Sequence, residues 1–185
     1  MLEYNDIAIL MYKRDDKIIK ELQERQIPFS ASRFDKDEVY EIELMVDFLR
    51  LINNMKDDIA LSSIMLSPLY SFVPEELLQI RKNSNKKMFW ESLIEYKGNQ
   101  TIEMKIETLL ADLDRYRRMS FYTSVYELML TILAEGFDAC LLQKGEEAIA
   151  RVNNFINSVK QREFIKSVAM FLDYYDNSDK ETFEA

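Results

Sequence analysis

The sequence predicts a mainly α protein, an irregular helical bundle preceded by a small N-terminal β-α-β fragment. Two observations lead there. Residues 6–30 read as strand, helix and short strand. From about residue 37 to residue 175, apolar residues then return at three- and four-residue steps with little interruption. One strand–helix–strand unit cannot complete a parallel sheet, so the chain opens a sheet and leaves it.

Each element has a local cause. Ile7, Ala8, Ile9 and Leu10 form a continuous apolar run, which suits a strand buried on both faces. Asp15 or Asp16 can cap the next helix, whose stripe is Ile18, Ile19 and Leu22. Pro28 biases Ile27 toward extended backbone, giving a short strand at 27–30. Residues 31–36 form a bridge. Over 37–54, Val39, Ile42, Met45, Val46, Leu49 and Ile52 share one helical face, and Asn53-Asn54 ends it. Asp57 or Asp58 starts a helix that Ser67-Pro68 stops. Pro74, followed by Glu75 and Glu76, starts another that runs to about Lys82. After a polar, basic loop (KNSNKK, 82–87) the spacing predicts helices over 88–96, 101–118, 124–134, 146–159 and 162–175. Gly136 falls just past the end of one, where a left-handed residue costs little. The polar residues 176–185 are expected to fray.

Composition excludes several chemistries. With no histidine, there can be no Ser-His-Asp triad, Cys-His pair or histidine metal site. The three glycines do not fall in a GxGxxG or GxxxxGK[ST] spacing, so no phosphate-cradling loop is expected within these residues. Cys140 is the single cysteine, in an apolar FDACLL context that reads as packing. The absence of an intrachain disulfide, a signal-peptide pattern or an apolar run of ~18 residues points to a cytoplasmic protein with no membrane partner. A net charge of -9 disfavours nonspecific nucleic-acid binding by the whole surface, though not local contacts.

Three clusters bear weighing. Asp37, Glu38 and Glu41 have the spacing of one helical face, but hard cations draw ligands from several elements. They read as a solvated first turn that complements the helix dipole. Arg115, Arg117 and Arg118, with Tyr116 and Tyr122, have the composition of a single-strand-binding patch. Asp112 and Asp114 lie at ion-pairing distance along the same helix, which favours internal pairing. Lys82, Lys86 and Lys87 are the better basic cluster, placed at a helix end where they can meet a phosphate backbone or stand as a solvated loop. No nucleophile is placed with a base, so no catalytic residues are expected.

The order of these pieces resembles the region after motif III in the UvrD/Rep-type superfamily 1A DNA helicases, and most of all the AddA subunit of the ATP-dependent helicase–nuclease. The family reads Y-x-D-I-A-I-L, then G-I-P, F-E-A-x-E-V, L-L-x-x-I-D-N, D-I-P-L-A, S-P and E-E-L…I-R. This chain gives Tyr4-Asn5-Asp6-Ile7-Ala8-Ile9-Leu10, then Gln26-Ile27-Pro28 and Phe34-Asp35-Lys36-Asp37-Glu38-Val39. It continues with Phe48-Leu49-Arg50-Leu51-Ile52-Asn53-Asn54, Asp57-Asp58-Ile59-Ala60-Leu61, Leu66-Ser67-Pro68 and Glu75-Glu76-Leu77 with Ile80-Arg81. The match covers about the first 80 residues; beyond Asn83 only the helix pattern is similar.

The resemblance implies that residues 1–34 are the start of motor domain 2A, that 35–177 are the helical domain 2B, and that 178–185 are a tail. It implies a parent that hydrolyses ATP with Mg, moves 3′ to 5′ on DNA in double-strand-break repair and recombination, and carries exonuclease activity. Its partners would be DNA, the remaining helicase domains and an AddB-type nuclease subunit. The nucleotide loop and catalytic acids would lie outside this fragment, which should hold no cofactor and be inactive alone. The family's ATP-contacting arginine falls at Tyr12; Arg14 is the substitute if the strand end is shifted. The loop after Ser67-Pro68, which in the family touches duplex DNA, offers Tyr70, Ser71 and Phe72 and lacks the frequent glycine. The rival reading is an acidic all-helical protein-interaction module without catalysis.

Overall fold

The computed structural model describes residues 16–28, 40–137, 141 and 145–177. The chain divides into two compact units, Met1–Val39 and Tyr40–Ala185. In the first, helix α1 spans Asp16–Glu24, with Ile18 and Leu22 half-buried. The expected strand at 7–10, the bridge at 31–36, Tyr12, Arg14, Cys140 and the tail at 178–185 lie outside the described residues, as do residues 29–30 of the second expected strand.

The second unit is helical among its described residues: α2 (Tyr40–Asn53), α3 (Asp58–Leu66), α4 (Pro74–Lys82), α5 (Phe89–Ile94), α6 (Gln100–Met119), α7 (Val125–Ile132), α8 (Glu146–Lys160) and α9 (Val168–Asn177). The protein is thus mainly α. Helix α2 is the hub, packing against α3, α6, α8 and α9. The predicted stripe is correct but too narrow, because Leu44, Phe48 and Leu51 are buried along with Ile42, Met45, Val46, Leu49 and Ile52. A helix enclosed by four others has little exposed face left. Edge-to-face ring pairs join the layers, Phe48 with Tyr116 at 5.6 Å and Phe155 with Phe171 at 6.1 Å.

Two expectations need correction. Glu41 is not a solvated first-turn acid: it is 1% exposed, with the Arg151 Nη2 of α8 at 3.7 Å. Packing of α8 over the start of α2 buries it, which no local pattern encodes. The last helix begins at Val168 rather than 162. Arg162 turns back to the Ser158 carbonyl at the end of α8, and Ser167 caps the new helix, its Oγ accepting from Met170 N–H at 3.3 Å.

Helix α7 starts from a reciprocal cap. Ser124 Oγ accepts from Glu127 N–H at 3.2 Å, and the Glu127 carboxylate accepts from Ser124 N–H at 3.0 Å. The bond from Ser124 N–H, joined by one from the Ser124 hydroxyl at 3.0 Å, holds that carboxyl below its usual range. The helix then widens into one π turn, Leu133–Phe137, closed by Gly136 at φ 142°, a conformation for which glycine is suited.

Candidate nucleic-acid interface

The loop between α3 and α4 is built from its first residue. Ser67 is fully buried, and its Oγ donates to the Ile64 carbonyl at 2.6 Å, ending α3. Pro68 prevents continuation. The Ser67 carbonyl then accepts from Ser71 N–H at 2.9 Å, and Phe72 N–H reaches back to the Met65 carbonyl at 3.0 Å. Ser71 takes φ 51°, the left-handed conformation that glycine supplies elsewhere. Its Oγ donates to the Pro68 carbonyl at 3.0 Å, a local bond that helps a serine tolerate it.

This turn divides the three candidate residues. Phe72 is 3% exposed and belongs to the core, so its ring cannot face a duplex. Tyr70 is half-buried, its hydroxyl 3.2 Å from Asp112 Oδ2 on α6. Burial first, and then the Asp112 charge, push that phenol above its ordinary value. Ser71 is exposed. Sequence reasoning missed Lys105, which fixes the turn. Its Nζ donates to the Ser71 carbonyl and to Glu76 Oε2, both at 2.8 Å, and lies 5.2 Å from the centre of the Phe72 ring. Its partners are 34 and 29 residues away in sequence, so no local spacing could reveal it.

The basic loop after α4 is held by Arg81. Its guanidinium donates to the carbonyls of Lys86 at 2.7 Å and Lys87 at 3.0 Å and to Ser92 Oγ at 3.2 Å. Asn83 Nδ2 donates to the Lys97 carbonyl at 2.5 Å. Lys86 pairs with Glu95 at 2.9 Å, and that bond raises its pKa. Lys82 and Lys87 are exposed with no ion-pair partner among the described residues. The loop therefore presents two free cations on a backbone tied down at both ends.

The arginine patch on α6 resolves as internal pairing. Arg115 pairs with Glu135 of the π turn and, at 3.4 Å, with Asp112; Arg118 pairs with Asp114 at 2.7 Å. Tyr116 is buried and donates to Glu135 at 2.8 Å. Burial and then that hydrogen bond push its phenol up to about 12. Arg117 and Tyr122 remain outward. Among the described residues no group of acids, cysteines or histidines is arranged to hold a metal ion. No described helix is long and apolar enough to cross a membrane.

Comparison with known proteins bears on what such an assembly belongs to. No family model matches the chain. Three curated relatives each carry the name of the A subunit of an ATP-dependent helicase/nuclease. The Lactobacillus helveticus protein is 32% identical over 135 residues, 71% of this chain and 11% of its own length. The Staphylococcus saprophyticus protein is 34% identical over 134 residues, 68% of this chain and 11% of its own. The Oceanobacillus iheyensis protein is 32% identical over 145 residues, 72% of this chain and again 11% of its own. The chain is homologous to a segment of these helicase/nuclease proteins. It spans about a ninth of their length. An AddA-like segment of this kind fits the UvrD/Rep-type resemblance read from the first 80 residues.

Proposed function

We propose that this chain supplies the 2B-like helical part, and the start of motor domain 2A, of an ATP-dependent 3′–5′ DNA helicase–nuclease acting in double-strand-break repair and recombination. The observation that carries the reading is the identity of about a third to AddA-type helicase/nuclease proteins over some 70% of the chain. In this reading residues 1–34 belong to the motor and 35–177 to the helical domain. The domain grips duplex DNA and gates the motor by rigid-body swivelling, with two chain crossings as the hinge, the first near Ser30–Phe34. The parent protein binds ATP and Mg, with Arg14 as this chain's candidate contact to the nucleotide. Its partners are the remaining helicase domains and an AddB-type nuclease.

For the duplex contact, Ser71 and Tyr70 at one end of α4 and Lys82, Lys86 and Lys87 at the other are the groups proposed. Nine residues of helix set the two ends roughly 13 Å apart, close to the ~12 Å width of a B-DNA major groove. Lys82 and Lys87 supply point charges to phosphate. Arg81 holds the backbone of Lys87 and Lys82 closes helix α4, so little backbone ordering remains to be done on binding.

Fluorescence anisotropy of a labelled duplex with the 185-residue chain tests the reading. Binding should weaken steeply with salt, by a slope of about -0.9 per phosphate neutralised. The double variant Lys82→Ala/Lys87→Ala should bind more weakly and with a shallower slope. An equal slope in wild type and variant would remove these lysines from the interface. The isolated chain should not hydrolyse ATP, and real turnover would overturn the assignment to the 2B-like part. The acidic-module reading, favoured by the net charge of -9, predicts no duplex binding even at low salt.

A further inference from the structure

A groove of about 530 Å³ lies between the turn joining α6 to α7 and the segment joining α8 to α9. One wall carries Phe121 and Tyr122, 81% and 77% exposed, the two most exposed aromatic side chains among the described residues. A tight turn presents them: Phe121 N–H donates to the Arg118 carbonyl at 3.3 Å, and Tyr122 N–H to the Met119 carbonyl at 3.1 Å. The backbone is thus satisfied without either ring being packed. The opposite wall carries Lys160, whose Nζ lies 5.1 Å from the centre of the Tyr126 ring, and Lys166, which has no ion-pair partner among the described residues. Glu163 is the one acid lining the groove among the described residues. On a chain of net charge -9, this is a locally cationic site with two free ring faces.

We infer that this groove binds single-stranded nucleic acid, with one base stacked on Phe121, the next on Tyr122, and the connecting phosphates facing Lys160 and Lys166. Two neighbouring aromatic rings beside cations are the chemistry of a stacking platform, which tolerates any base because every base has a π face. A duplex does not suit it, since its bases are already stacked on each other. The site stands on its own residues and is independent of the duplex contact proposed for the two ends of α4.

Anisotropy of fluorescein-labelled oligothymidine at low salt, with the 185-residue chain, tests this. Wild type should bind, and Phe121→Ala/Tyr122→Ala should weaken binding by about tenfold or more per ring removed. Phe121→Leu, which keeps the apolar bulk and removes the π face, should lose as much as Phe121→Ala. Lys160→Gln/Lys166→Gln should make the salt slope shallower by about 0.7 per phosphate released. Both rings are exposed, so circular dichroism should show unchanged helix content in the ring variants. An abasic strand of equal length should bind more weakly than oligothymidine. No binding of oligothymidine, an unchanged affinity in the double ring variant, or equal binding of the abasic strand would each overturn the inference. Displacement by polyglutamate together with equal abasic binding would instead identify a dock for acidic protein segments. Phe121→Ala/Tyr122→Ala should weaken oligothymidine binding far more than duplex binding, which keeps failure here separate from failure of the duplex reading.

Discussion

Lys105 joins three pieces that are remote in sequence: the Ser71 carbonyl, the Glu76 carboxylate at the start of α4 and the face of Phe72. Burial raises the Glu76 pKa, but the Lys105 hydrogen bond and the Val73 N–H outweigh it, so the carboxyl sits below its ordinary 4.5. A folded pKa below the unfolded one means that the folded state binds fewer protons. The resulting stabilisation is complete above about pH 4.5 and is lost as pH falls through the lower folded value. Lys105→Met should therefore cost on the order of 1–3 kcal/mol at neutral pH, by urea denaturation. The gap between variant and wild type should narrow as pH drops below 4.5. A gap independent of pH would mean that the stem of Lys105 matters and its charge does not. Nothing around residue 105 announces this role, because charge patterning along a helix reads only partners three or four residues away.

The double aspartate at 57–58 shows what an element can and cannot disclose about itself. Either residue could start α3 on sequence grounds. In the fold Asp57 does so, accepting from the N–H groups of Ile59 and Ala60, each at 3.1 Å. Asp58 is released to cap a different helix, accepting from Phe89 N–H at 2.8 Å and Trp90 N–H at 3.0 Å at the start of α5. Helix α5 has only six residues and no cap of its own from Met88, so it depends on this loan. Asp58→Ala should destabilise by about 1–2 kcal/mol. It should also speed amide exchange at Phe89 and Trp90 and shift the emission of the single tryptophan. Asp57→Ala should cost a similar amount but leave Trp90 emission unchanged. A tryptophan shift in both variants would mean that α3 and α5 unfold as one unit.

At the scale of the molecule, α2 concentrates stability. Leu49 is fully buried on the helix that the others surround, so Leu49→Ala should cost roughly 2–5 kcal/mol. Ile59, 84% exposed on α3, should tolerate alanine within about 0.5 kcal/mol. Urea unfolding of both variants checks the contrast, and a large loss for Ile59→Ala would show that its face is covered. The sequence by itself determined the helical class and most helix limits. Caps, prolines and a 3.6-residue period are local signals, and they placed α3, α4 and α6 within a residue or two. It also located the loop after Ser67-Pro68 and the basic loop after α4, because the order of motifs along the chain carries them. Only the tertiary structure decided that Phe72 faces inward, that Glu41 is buried, that Arg115 is committed to Glu135, and that Phe121 and Tyr122 stand beside Lys160 and Lys166. Each of those outcomes depends on which helix lies across from which, and the contacts that set helix against helix join residues far apart in sequence.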